Sequence, residues 1–358
     1  MPEQELSIVV RNTDSDVARL WPQWRELYNR VGRSPFQNPR WHRLWWEHIG
    51  SAGNWRPYTV AAYRGDDLVA VVPLAVNWTR GIRQLEWAGI SFFDYPDLLA
   101  EHHVDVEFLW HAITCLGGFD VARLRDVRAD GQSFPALKLL SREAARSSPV
   151  YAIELEHGSG QAWYETLSKR SRANHAASLR RLERIGTTSL RQVTDVSAVP
   201  GAIRLLVEQK REWAEKRGLE NELSERSQRF LECLALQALS DGNLHLSMLQ
   251  SGNETIAMHF GFVSQDGFYY YLPSYHPGFA AMSPGRVHLV EMVKWAGDNG
   301  YRRFDFLRGE DQYKSLWGRE ARELHDFTLP RGWVGRIATG VHGLRQRVGL
   351  ASLLTSVA

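Results

Sequence analysis

The stretch "YRRFDFLRGEDQYKSLWG", residues 301–318, begins as a strand and ends in a dense run of charge. Tyr301, Phe304 and Phe306 supply the apolar side chains of a short β-segment. Arg308, Gly309, Glu310, Asp311, Tyr313 and Lys314 then crowd together ahead of Trp317 and Gly318. A glycine after a strand permits a tight turn or the close approach of a ligand. Glu310 and Asp311 are suited to take a proton, while Tyr313 and Lys314 are suited to meet developing negative charge. Alone, the same residues also read as a charged loop closed by its own ion pairs.

The segment just upstream, "SPGRVHLVEMVKWAGDNG" at 283–300, reads as a helix ended by Gly300. Ser283 is expected to cap it, Pro284 suits the first turn, and Gly285 with Arg286 leaves the start open and positive. Free backbone N–H groups at such a start suit the phosphates of a coenzyme, although an ordinary capped helix has the same sequence. The glycine repeats of a P-loop or dinucleotide fingerprint are missing. Before it, "LHLSMLQ", "ETIAMHFGFV" and "FYYYLPSY" read as a three-strand meander with turns at "SGN" and "SQDG". Helices are expected at about 196–217 and 226–240. A further one, "SKRSRANHAASLRRLERIG" at 168–186, sets Lys169, Arg170, Arg172, Arg180, Arg181 and Arg184 against a lone acid, Glu183. Ala176, Leu179, Leu182 and Ile185 give it an apolar stripe. Most charged helix faces are simply solvated, but this excess of positive charge also suits an anionic ligand, whether phosphorylated precursor, coenzyme or RNA.

The first half has the same order. Val17, Leu20, Trp24, Leu27 and Val31 mark one helix, and "NPRWHRLWWEHIG" a second, with Asn38 as cap, Pro39 at the first position and Gly50 at the end. "PYTVAAY", "RGDD" and "LVAVVPLAV" then read as strand, turn, strand. A helix at 104–116 and the strand "FDVARLRDV" follow. The junctions "LGGFDVARL" and "DNGYRRFDFL" match, so the chain reads as a tandem duplication of one α/β unit. "SREAARSSPV" at 141–150 is the expected boundary. The expected division is 1–148, 149–330 and a tail, 331–358, in which Trp333, Ile337, Val341, Leu344 and Val348 fall near helical spacing beside Arg336, Arg345 and Arg347. That tail would dock on its own domain or lie on a membrane surface.

Composition bounds the rest. A chain of 358 residues with 44% hydrophobic and 23% charged residues is folded rather than disordered, and long enough for two domains. A net charge of +2 argues against a molecule-wide polyanion surface. The 14 tryptophans are expected mainly as core anchors. Cys115 and Cys233 are isolated and His102, His103 and His111 form no recognisable ligand set, so neither a disulfide framework nor a metal is expected. The acidic start "MPEQELSIVV" is unlike a signal peptide, and no apolar run approaches a membrane span, so a cytoplasmic protein is expected.

In order and spacing these segments resemble the GNAT acyltransferase superfamily, in its tandem branch of CelD-like and FemAB-like proteins. The likeness runs from "SPFQNPRWHRLWW" and "WAGISFFDYPDLL" through the arginine-rich helix and "SPG" to "FDFLRGEDQYKSLWG". It implies two GNAT-like units, each a mixed β-sheet flanked by helices (an α/β fold of α+β mixed-sheet type), with the donor site in the second. Tyr271 and Leu272 would align an acyl thioester, and Ser283, Gly285 and Arg286 would receive its pyrophosphate. Glu310 or Asp311 would act as base, Tyr313 would stand near the leaving thiolate, and Lys314, Arg308, Arg172, Arg180, Asp94 and Tyr95 would hold the acceptor. The implied co-substrate is acetyl-CoA or another acyl-CoA, without a metal. The implied acceptor is an anionic or sugar-containing small molecule, or a lipid-linked one, met in the cytoplasm with peripheral contact at the inner membrane face as an option. Because "SPG" departs from the usual glycine-rich pyrophosphate loop, an aminoacyl-tRNA donor stays open, and nucleic acid enters only in that case. A non-catalytic nucleotide sensor or scaffold is the third reading.

Overall fold

The computed structural model describes residues 5–141, 144–156, 158–218, 223–265, 267–309, 311–337 and 339. Among these the chain divides into two compact units, one running to Pro149 and resuming at Arg322, the other spanning Val150–Ala321.

The first unit starts with β1 (Leu6–Arg11), α1 (Asp14–Val31) and α2 (Pro39–His48). The Thr13 hydroxyl accepts from the Asp16 N–H, and Val17, Leu20, Trp24 and Leu27 bury the stripe expected of α1. Asn38 caps α2 by accepting from the Arg40 N–H, while Gly50 opens a short 3-10 turn. Strands β2 (Trp55–Pro57), β3 (Thr59–Arg64), β4 (Asp67–Val72), β5 (Leu74–Thr79), β6 (Ile82–Trp87) and β7 (Leu99–Ala100) follow. "LVAVVPLAV" is therefore two strands rather than one. Pro73, which has no N–H to donate, separates β4, in the sheet β1-β3-β4-β7, from β5, which pairs with β2 and β6. Helix α3 (Val106–Cys115) leads to β8 (Val121–Arg128), and α4 (Phe134–Leu140) closes the run. The core of this unit is aromatic, with Trp87 and Trp110 edge to face at 5.6 Å and Phe119 buried beside them.

Strand β9 (Ala144–Glu154) takes up much of the segment expected as a linker. The second unit continues with α5 (Gly160–Thr166), α6 (Lys169–Glu183), β10 (Thr188–Gln192), α7 (Val199–Lys216) and α8 (Glu225–Ser240). Its meander is β11 (Leu244–Ser251), β12 (Glu254–Ser264) and β13 (Gly267–Tyr275), followed by α9 (Pro284–Asp298), β14 (Arg303–Asp305), α10 (Gln312–Trp317) and β15 (Arg319–Pro330). Within this unit the strand order is β10-β11-β12-β13-β14-β9. The loop expected at 309–318 is thus partly helical. Leu324–Pro330 of β15 pairs with β8 inside the first unit.

Each unit contains the same module. In the first, the β5–β6 hairpin is followed by α3 and then by β8, which pairs in parallel with β6. In the second, the β12–β13 hairpin is followed by α9 and then by β14, parallel to β13. A parallel neighbour demands a crossover, and the helix supplies it. Both units are mixed sheets with helices, and the duplication legible in the junction glycines is one of this hairpin–helix–strand module. In the tail, residues 332–337 are helical with Trp333 and Ile337 exposed. Val341, Leu344, Arg345, Arg347 and Val348 lie outside the described residues.

Candidate active site

Strands β13 and β14 part almost as soon as they meet. They pair only at Phe268↔Phe304 and Tyr269↔Asp305. Beyond that point β13 runs on to Tyr275 with β12 as its partner, whereas β14 follows β9, and the Phe306 N–H goes to the Tyr151 carbonyl. Among the described residues no strand covers the second edge of Tyr270–Tyr275. That side of the strand faces the fork, while the other is paired with β12.

Alternation along β13 sorts the aromatic run "FYYY". Phe268 and Tyr270 point into the core, Phe268 stacked on Phe304 at 4.5 Å and Tyr270 against Phe306 at 5.7 Å. The Tyr271 ring packs instead against Phe260 and Phe262 of β12, and Leu272 is half-buried next to it. Tyr270 is the first residue past the paired register, so it stands where the fork opens. Its ring and that of Tyr313 on α10 both pack on Phe306, at 5.7 and 6.2 Å. Burial, with Asp311 nearby, pushes the Tyr313 phenol well above its ordinary range; burial, with Tyr313 and Asp311 nearby, does the same to Tyr270. Both are neutral proton donors at physiological pH.

Helix α9 starts beside Tyr275. Ser283 does not cap it through its side chain as expected. A 3-10 turn over Pro277–Met282 leaves Ser283 at φ 56°, ψ 52°, a left-handed conformation with no side-chain capping bond. Gly285 faces open space: a methyl group there would meet only the Tyr275 ring, at 3.8 Å. Arg286 is exposed at the same helix start. Helix α6 packs on α9 and on the 3-10 turn, where Arg181 reaches the Ala281 carbonyl at 3.5 Å. Ser168 caps α6 from the Ser171 N–H. Its buried side is His175, Ser178 and Leu182, while Ile185, expected in the stripe, is exposed. Arg172 is half-buried and Arg180 exposed.

The charged turn after β14 is held from within. The Asp305 carboxylate accepts from the Leu307 N–H at 2.8 Å, and Leu307 and Gly309 adopt φ of 58° and 111°. Lys314 is only 5% exposed, donates to the Arg308 carbonyl and lies 3.6 Å from Asp311. Glu310 lies outside the described residues. Asp94 and Tyr95 belong to the first unit and are buried there at 4% and 2% exposure. So Tyr271, Leu272, Ser283, Gly285, Arg286, Arg172, Arg180, Arg308, Asp311, Tyr313 and Lys314 share one compact unit, whereas Asp94 and Tyr95 do not.

Sequence reasoning missed Tyr270 and a buried histidine group behind it. His259 stacks on Tyr270 at 4.6 Å and 8°, and its Nδ1 lies 3.2 Å from His245 Nδ1. His288 Nε2 lies 3.0 Å from the Ser247 hydroxyl. Burial drives His245 and His288 down to about 3 and His259 well below the usual range, so all three are neutral. The strand alternation could have located them, because His245 and His259 fall at inward positions of neighbouring strands. No group of three or more histidine, cysteine or carboxylate side chains among the described residues is arranged to hold a metal ion.

The acetyltransferase (GNAT) domain family matches residues 169–315, the run from α6 into α10 that contains the fork, the α9 start and Tyr313. Residues 169–315 form a GNAT domain. No curated protein matches the sequence. Fold likeness extends over most of the chain. The C-terminal domain of a protein assigned as a lysylphosphatidylglycerol synthetase from Agrobacterium fabrum aligns with a TM-score of 0.57 at 12% identity, covering 90% of this chain and 95% of that one. FemX aligns with a TM-score of 0.51 at 12% identity over 80% and 89%. A conserved protein of unknown function from Bacteroides thetaiotaomicron aligns at 0.55 and 10% identity over 90% and 100%. At such identities the likeness is one of fold alone.

Proposed function

We propose that the GNAT domain transfers an acyl group from acyl-CoA, acetyl-CoA first among the donors, to an amine or hydroxyl of a sugar or amino acceptor used in cell-envelope or exopolysaccharide synthesis. The observation that carries this reading is the parting of β13 and β14 after Tyr269↔Asp305, with Tyr313 packed on Phe306 just past β14 and the unobstructed Gly285 against Tyr275 at the far end of β13. The backbone edge of Tyr270–Tyr275 would hold the thioester arm, with Tyr271 and Leu272 beside it. Ser283, Gly285 and Arg286 would meet the pyrophosphate, whose charge suits a helix start with basic α6 alongside. The fold calls for no metal, and the coenzyme supplies the activated acyl carbonyl.

In this reading the acceptor attacks the carbonyl carbon directly, the C–S bond breaks, and the leaving sulfur takes the proton of Tyr313. Positioning and proton transfer are what the protein supplies. Asp311, or Glu310, would accept the proton of the nucleophile. Arg308, Arg172 and Arg180 would hold an anionic acceptor, small or lipid-linked. Lys314 would act by fixing the turn, given its burial and its bond to the Arg308 carbonyl. No helix among the described residues is long and apolar enough to cross a membrane. A cytoplasmic enzyme, with lipid-linked substrate met at the membrane face, fits that.

A second reading is favoured by α6, whose exposed arginines also suit an aminoacyl-tRNA donor. Incubation with acetyl-CoA and a panel of sugar nucleotides and lipid-linked sugars, followed by mass analysis, separates the two. A mass gain of one acetyl group supports the first reading. No gain with acetyl-CoA, but transfer from charged tRNA, supports the second.

A further inference from the structure

The end of α7 carries an aromatic ring with two cations on it. Trp213 meets the Arg217 guanidinium at 4.5 Å and the Lys210 ammonium at 5.9 Å, both measured to the ring centroid. Its indole N–H goes to the Tyr275 hydroxyl at 2.9 Å. Tyr275 ends β13, and its ring is what a methyl group at Gly285 would meet, at 3.8 Å. That ring packs on the cluster of Leu182, Ile256 and Val287, from α6, β12 and α9. Tyr275 is therefore shared: its ring lies with the α9 start and its hydroxyl with α7. Ser274 repeats the tie, donating to the Gln209 side chain one turn earlier on α7 at 2.9 Å.

Chemistry fixes the direction of the indole bond. An indole N–H only donates, so the Tyr275 oxygen accepts and its own hydrogen is left for another acceptor. Among the described residues the Tyr275 hydroxyl has no other partner. Arg217 is in the same position. Its side chain is exposed, and no carboxylate among the described residues forms an ion pair with it, although Glu212 and Glu215 stand on the same helix. A guanidinium held over an aromatic face keeps its fork of N–H groups for an oxyanion.

We propose that Tyr275 and Arg217 form an α7-side wall of the site and bind a diphosphate, with Trp213 as the positioning residue that holds both. The inference rests on the reading that a ligand's pyrophosphate lies at the α9 start. It adds two side-chain donors to that subsite, a hydroxyl and a guanidinium, and bonds from such donors to a charged oxygen are the strong ones. A diphosphate is present both in coenzyme A and in a nucleotide-linked sugar acceptor, and the two sources are separable by experiment.

The test is calorimetric titration of the full chain with coenzyme A and, separately, with uridine diphosphate. Tyr275→Phe should melt within a few degrees of wild type without ligand and bind the diphosphate ligand about tenfold more weakly, the scale of one hydrogen bond to a charged group. Arg217→Gln, an exposed change that keeps the test open if Tyr275→Phe does not fold, should weaken binding and flatten its dependence on salt. Trp213→Phe should also weaken binding. Combined with Tyr275→Phe it should cost less than the two single losses added together, because the indole acts through the hydroxyl. Tyr275→Phe and Arg217→Gln proteins that bind as wild type overturn the inference and leave the coenzyme reading standing. Uridine diphosphate binding that both variants weaken, with no binding of coenzyme A, upholds the inference and overturns the coenzyme reading. A wild-type protein that binds neither ligand overturns both.

Discussion

Lys314 reaches back along its own turn, its ammonium 3.6 Å from the Asp311 carboxylate while it donates to the Arg308 carbonyl. A buried ammonium with these partners ties the strand end to the start of α10. Lys314→Met should therefore lower the unfolding free energy by about 2 kcal/mol, the usual scale for a hydrogen bond to a charged group. Chemical denaturation measures it. A variant as stable as wild type with lost turnover would return Lys314 to a direct role in the reaction.

Two glycines on the helices of the GNAT-bearing unit should respond in opposite ways. At Gly160 an added methyl would collide with the Lys294 backbone of α9, and Gly160 N–H also donates to the Asp298 carboxylate at 2.8 Å. Gly160→Ala should cost about 2 kcal/mol through overpacking. Gly285→Trp, by contrast, enters open space and should leave the melting temperature within a few degrees of wild type while weakening acetyl-CoA binding about tenfold or more. Paired melting and binding curves check both, and a Gly285→Trp protein that binds normally would take the α9 start out of the site.

Acid should weaken the fold through its buried imidazoles. His42 is held near 4 by burial, against the partly offsetting bond of its Nε2 to the Phe36 carbonyl at 3.1 Å; His245 and His288 are held near 3. Each folded value lies below the ordinary 6.5, so the neutral form stabilises the fold fully above pH 6.5, and that contribution is lost as pH falls through 4 and then 3. Melting temperature should drop steadily from pH 7 to pH 4. His42→Gln should drop less steeply, because it removes one of the protonating groups; an identical slope would contradict the assignment.

How much of this was legible follows from where the signals lie. The helices α1, α2, α3, α7, α8 and α9 were readable because their apolar spacing and caps are local. The meander was readable because turns separate its strands. Strand β9 was not, since "SREAARSSPV" carries few bulky apolar residues and its place is fixed by distant pairings such as Phe304↔Ile153. Ser283 shows the reverse error: a good capping residue whose backbone is already committed to the preceding 3-10 turn. Tyr313 could be named from the charged run around it, but Tyr270 could not, because nothing local distinguishes one tyrosine of three from its neighbours. Only the two-residue pairing with β14 makes it the residue at the fork.

The central claim is that the fork between β13 and β14, with the open start of α9, receives the donor coenzyme. Calorimetric titration of acetyl-CoA into the wild-type protein and into Gly285→Trp tests it most directly. Saturable one-to-one binding in the micromolar to millimolar range, weakened about tenfold or more in the variant, is the predicted result. No heat and no thermal stabilisation of the wild-type protein by acetyl-CoA would contradict it.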